Sequence, residues 1–186
     1  MRILGIDPGS LVTGYGVVER QGAAVEHVAH GTLRPPRGGE LPARLAFLHA
    51  EVARLVALHR PDVVAIERVF AGKSPSSALV LGQARGAVLA ALAAAALPIR
   101  ELAPQHVKLA VTGEGAAPKP QVQAMVRRLL RLAEAPARDA ADALAAALCC
   151  AASGRLGALD VRRASRRSGA SERRAWTVRI AQRRSP

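Results

Sequence analysis

The sequence predicts an α/β fold, a mixed five-stranded sheet flanked by helices. Two observations carry this expectation. Short apolar runs bounded by turn residues alternate with longer segments whose apolar residues recur at helical spacing. Three strand-like runs also follow one another before the first helix, the order of an antiparallel meander leading into helix–strand units. Composition agrees: half of the 186 residues are apolar and only 2% are aromatic. Much of the apolar share is alanine, which suits long helices lying close on a sheet.

The elements follow in order. "RILGID" is a short apolar strand closed by an acid, the turn "DPGSLVTG" leads out of it, and "GYGVVER" and "AAVEHVAHGTL" are two further strands. "LPARLAFLHAEVARLVALHR" places Leu41, Leu45, Leu48, Val52, Leu55 and Val56 at helical spacing and stops before Pro61. "DVVAIE" is a buried-strand run. "SPSSALVLGQARGAVLAALAAAA" is a long helix opened by Ser-Pro, and the i,i+4 spacing of Gly82 and Gly86 on it allows close approach to a neighbour. "LPIREL" is the fifth strand, and "PKPQVQAMVRRLLRL" and "ARDAADALAAALCCAA" are closing helices. No element is assigned to residues 103–117, and no internal repeat is visible.

A chain of this length is one domain by the usual prior. No run is read as reaching the ~18 consecutive strongly apolar residues of a membrane span, and "MRILGID" lacks the pattern of a signal peptide. The expectation is a cytoplasmic protein with no membrane partner. Cys149 and Cys150 are adjacent, a poor arrangement for a disulfide or a metal, and read as small apolar residues in a helix.

Charge is more informative. Lys and Arg number 27 against 14 Asp and Glu, a net +13 that points to a polyanionic partner. Residues 155–186 hold ten arginines against Asp160 and Glu172, so +8 of the +13 lies there. A boundary is placed near Gly154, with residues 1–154 as the folded domain and 155–186 as a poorly ordered basic tail. A merely solubilising extension is the alternative.

The acids stand out against this basic background. Asp7 ends one apolar strand and Glu67 ends another, where an ionised carboxylate is costly unless paired or on a metal. Asp139 and Asp142 lie three apart and share a helix face. Should the two strand ends lie side by side under that helix, four carboxylates converge and need cations between them. Such a set suits Mg²⁺, which takes few protein oxygens, several waters and a phosphate. A pair of such ions ~4 Å apart serves phosphodiester cleavage. Other readings stay open at this point: a turn or cap role for Asp7 or Glu67, and a helix-terminus role for Asp139 with Asp142 solvated.

Arginine outnumbers lysine 24 to 3, so Lys73, Lys108 and Lys119 are conspicuous. A compact ammonium meets a single phosphate oxygen in a way arginine's fork does not. Phe70, just past Glu67, is either a loop aromatic that stacks on an unpaired base or an anchor under its loop. Phe47 and Tyr15 are assigned to the core, and none of the five histidines to a metal.

Four segments, "GIDPGSLVTGYGVV", "AIERVFAGKSPSSALVLGQARG", "VKLAVTGEGAAPKPQVQAMV" and "DAADALAAA", together resemble the bacterial RuvC-type Holliday junction resolvases. The resemblance runs in order from residue 1 to about 154. It implies a ribonuclease H-like fold and a homodimer that holds four-way junction DNA and nicks two opposing strands during recombination and repair. By motif, the family's catalytic, metal-binding acids fall on Asp7, Glu67, Asp139 and Asp142, its DNA-contacting lysines on Lys108 and Lys119, and its junction-wedging aromatic on Phe70. Lys73 is a further DNA-contact candidate.

The expected chemistry is hydrolysis assisted by two Mg²⁺, or Mn²⁺ in their place, without a protein nucleophile. Asp7 is shared between the ions, Glu67 and Asp142 or Asp139 complete the sites, and Lys119 stabilises charge at the cut phosphate. The long helix from about Ser74 to Ala96 matches the dimerising helix, and the RuvAB branch-migration motor is the implied partner. Ser74 after Lys73, and the absence of an aromatic shortly before Lys108, depart from the family pattern. A non-catalytic basic junction-binding protein and a ribonuclease H-like nuclease acting on RNA are the alternatives. An actin-like ATPase, which shares the opening strand, needs a second half that this chain is too short to hold.

Overall fold

The run Ile3, Leu4, Ile6 is fully buried in β1 (Arg2–Asp7). An uninterrupted apolar strand needs cover on both faces, and β1 accordingly lies at the centre of the sheet. In the computed structural model, which describes residues 1–36, 38–68 and 75–153, the strand order is β3-β2-β1-β4-β5. β2 (Thr13–Gln21) and β3 (Ala24–Leu33) form the antiparallel meander with β1. β4 (Val63–Glu67) and β5 (Ile99–Leu102) extend it on the other side as parallel strands. The five strands agree with the sequence expectation.

Alternation along the strands sorts residues into two cores. Leu4, Ile6, Val17, Val64 and Ile66 face α1 (Leu41–His59) and α2 (Pro75–Ala94), with Tyr15 and Phe47 packed at the margin. Ile3, Val18, Val63 and Ala65 face α3 (Pro104–Thr112), α4 (Lys119–Leu129) and α5 (Arg138–Ser153). α3 is absent from the sequence reading. Its signals are short-range ones: Pro104 in the first turn, Val107 and Val111 buried one turn apart, and Gly113 in the left-handed conformation at its end.

The two glycines of α2 meet no neighbour among the described residues of this chain. A side chain added at Gly82 or Gly86 would meet nothing within 4 Å, so they bring no neighbour of this chain close. Close approach occurs instead between α5 and the sheet. A Cβ at Gly5 would overlap the Ala143 carbonyl, one at Gly14 the Asp139 carbonyl, and one at Gly16 would lie 2.6 Å from the Leu144 side chain. Alanines on the helix and glycines beneath it let the two backbones come almost into contact.

Contrary to the sequence reading, α2 is long and apolar enough to cross a membrane by length and composition alone: 20 residues, mean hydropathy 1.5. Its buried residues Ala84, Val88, Ala91 and Leu92 pack into the core shared with α1. Cys149 and Cys150 are free and buried in α5, as expected. His27 and His30 meet, Nε2 to Nδ1, at 2.8 Å. Three apart on a regular strand they would face opposite ways, but β3 carries a bulge where Val17 pairs with Ala29 and Val18 with His27, which returns both rings to one side.

Candidate active site

Asp7 and Glu67 become neighbours through strand register. β1 and β4 run parallel with Ile3 opposite Val63 and Ile6 opposite Ile66, so the next residues, Asp7 and Glu67, end adjacent strands side by side. By alternation both continue the Ile3/Ala65 face, the one that α5 covers. The turn after Asp7 is tight: Val12's carbonyl occupies the place a Gly9 side chain would need, and buried Thr13 hydrogen-bonds back to the Gly9 backbone.

Asp139 and Asp142 arrive from above. Gly14 is the β2 partner of Asp7, and it is over Gly14 that the Asp139 backbone rests. The first turns of α5 therefore lie directly over the Asp7–Gly14 pair. Carboxylates from two strands and one helix come within electrostatic reach of one another. Burial, then Asp142 and then Glu67 push the Asp7 carboxyl up to about 7, with Asp139 adding to the effect and Lys119 opposing it. Glu67 is raised by burial first and Asp142 second, against Lys119 and Lys108.

Lys119 opens α4, and its Nζ donates to Asp142 Oδ2 at 2.7 Å. That hydrogen bond, with the charges of Asp7 and Glu67, raises the lysine further above its ordinary value. The Asp142 side chain is largely covered and the Lys119 side chain is 58% exposed, so the ammonium reaches in from solvent. Lys108, on α3, lies close enough for its charge to act on Glu67. Phe70 and Lys73 lie outside the described residues.

One residue of the site went unread in the sequence. Arg85 of α2, its side chain 15% exposed, donates from Nη1 to the Glu67 carbonyl at 2.8 Å and pairs through Nη2 with Glu101 Oε2 of β5 at 3.0 Å. It ties the last residue of β4 to the neighbouring strand. The hint was an arginine inside an otherwise apolar helix, but its partner depends on the β4–β5 pairing.

Among the described residues no three His, Cys, Asp or Glu side chains are gathered into a ready cage. The donor set still fits a hard divalent cation. Mg²⁺ binds through one or two carboxylates plus waters and substrate phosphate rather than an all-protein shell. Asp142, Glu67 and Asp139 all act against the charge of Asp7, whose carboxyl is pushed to about 7, an arrangement that favours a site that gains a cation.

The model of the family "Crossover junction endodeoxyribonuclease RuvC" matches residues 3–150. A RuvC protein of Alkalilimnicola ehrlichii is 55% identical over 148 residues, covering 80% of this chain and 89% of that one. A Thermus thermophilus RuvC structure superposes with a TM-score of 0.76 at 37% identity, covering 84% of this chain and 97% of the other. The T. thermophilus RuvC in complex with Holliday junction substrate gives 0.79 at the same identity, over 84% and 96%.

Proposed function

The chain belongs to the RuvC family of crossover junction endodeoxyribonucleases, and from that premise we propose that Asp7, Glu67, Asp139 and Asp142 are the metal-holding carboxylates with which it cuts four-way DNA junctions. What supports the reading is that Asp142, Glu67 and Asp139, from two other elements, all act on the buried Asp7 carboxyl and help push it up to about 7. The family's solved relative in complex with a Holliday junction substrate supports the same substrate for this chain.

Mg²⁺, or Mn²⁺ in its place, bound at these acids would supply Lewis-acid polarisation of the phosphate and a water acidic enough to attack at neutral pH. The chain's own residues do the rest. Asp7 and Glu67, fixed by strand register, set the floor of the site, and Asp142 and Asp139 form its wall. Arg85 holds the end of β4 and so the direction in which Glu67 points. Lys119, free to leave Asp142 for a phosphate oxygen, places positive charge where the transition state gains negative charge. Lys108 holds the adjacent backbone. Phe70 is the proposed wedge in the junction and Lys73 a further phosphate contact.

Paired nicks need two copies of the site, and a homodimer supplies them. The α2 surface supports that assembly: Leu79 is 64% exposed, and open space lies over Gly82 and Gly86. Action in the cytoplasm beside a RuvAB-type branch-migration motor completes the proposal.

The test uses a synthetic four-way junction and a linear duplex of equal length, each with Mg²⁺ or with EDTA. The expected result is symmetric paired nicks in the junction alone, and only with metal. Junction binding with no metal-dependent nick, across a range of core sequences, would leave a DNA-binding protein rather than an enzyme.

A further inference from the structure

The outer face of α4 carries an open trough of about 490 Å³ lined by Pro120, Gln123, Arg127, Arg128, Arg131 and Leu132, among others, and none of its lining residues is a carboxylate. We infer that this trough is a second phosphate-binding tract, one that holds the backbone of a junction arm as it leaves the cut site. The inference depends on the function proposed above.

Three observations carry it. First, the trough and the site share α4. Lys119, on Asp142, begins the same helix, and Pro120, Gln123 and Arg127 follow at steps of three and four, which is one helical face, with Arg131 just past the helix end. At ~1.5 Å per residue the helix extends roughly 15 Å from Lys119 to Leu129, about four base steps at ~3.4 Å each along a strand.

Second, its wall is braced. Gln123 Nε2 donates to the Pro136 carbonyl at 2.6 Å, and Arg127 donates to the carbonyls of Leu132, at 3.3 Å, and Ala133, at 2.8 Å. The segment after α4 is thus tied down by the trough's own side chains. A preformed cationic wall gives up little freedom when it takes a polyanion.

Third, Arg131 has a φ of 52°. It sits just past the helix end, where Leu132 N–H donates to the Arg127 carbonyl at 3.0 Å and Arg131 N–H to that of Arg128 at 3.3 Å. This helix-ending conformation favours glycine. Arg131 nonetheless lines the trough, an arginine held against the local backbone preference.

Between a nucleic acid and an acidic protein surface, the helix shared with Lys119 favours the strand that is being cut. The test is junction affinity against salt for the full chain, the double variant Arg128→Gln/Arg131→Gly, and Arg131→Gly alone, with melting curves for each. Glycine relieves the backbone at residue 131, so the single variant stays folded. The expected result is roughly tenfold weaker binding by the double variant at 50 mM salt. The slope of log affinity against log salt should also fall by about 1.8, for two phosphate contacts at ~0.9 each.

Neutral methylphosphonates placed three to five nucleotides from the cut should weaken the wild type and leave the double variant unaffected. Wild-type affinity and slope in the double variant, with nicking intact, overturn the tract and leave the proposed function standing. Loss of binding to an acidic peptide instead of the junction overturns it in favour of a protein partner. A wild type that ignores the junction overturns the proposed function itself.

Discussion

At the end of β1, Asp7 combines burial with the charges of Asp142 and Glu67, and its carboxyl is pushed up to about 7 from an ordinary 3.8. The folded form thus keeps a proton between those values that the unfolded chain gives up. In EDTA, stability should therefore fall as pH rises from about 4 to about 7, by at most about 4 kcal/mol from this group. Glu67 is shifted in the same direction. Urea unfolding across that range checks the sign: Asp7→Asn should flatten the curve, and Mg²⁺ should restore stability at the high-pH end. Arg85 gives a second residue-scale prediction. Its fork spans a carbonyl and a carboxylate, a geometry lysine does not reproduce. Arg85→Lys should cut the nicking rate by about 10- to 100-fold with junction affinity within a few-fold, as read by single-turnover kinetics beside binding curves. Equal loss of both would mean that the arginine serves folding instead.

Among the elements, α5 and its glycine floor decide whether Asp139 and Asp142 reach the strands. Gly14→Ala would drive a methyl into the Asp139 carbonyl. It should destabilise by about 1–3 kcal/mol and weaken cutting. Gly82→Ala, facing open space, should stabilise the single chain by up to ~1 kcal/mol. Chemical unfolding of both variants checks the contrast.

The strands, α1, α2, α4 and α5 were readable because each carries a strong period or a clear stop. α3 is harder to read because it is only nine residues long, too short for a helical period to stand out, and its start and stop rest on single residues, Pro104 and Gly113. The acids could be named from their places at strand ends and on one helix face. Their meeting could not, because it needs the parallel β1–β4 register and the glycines under α5. The spacing of Gly82 and Gly86 is legible in the same limited way: it marks a face that can be approached closely, without saying what approaches it.

For the whole molecule, the sequence carries a net charge of +13, against which the acids of the candidate site stand out. A net positive charge favours association with DNA, while the acids repel it locally until cations reverse the sign. Deleting residues 155–186 removes +8 of that charge. Salt titrations of junction affinity should then show a flatter dependence if the tail contacts phosphates, with nick positions unchanged.

The central claim, that the gathered carboxylates are the cutting machinery, is met most directly by one measurement: the single-turnover nicking rate of Asp7→Asn on a bound four-way junction in Mg²⁺. The account predicts wild-type or tighter junction binding, since a repulsive charge has gone, and no detectable paired nicks. Nicking by Asp7→Asn at the wild-type rate would contradict it.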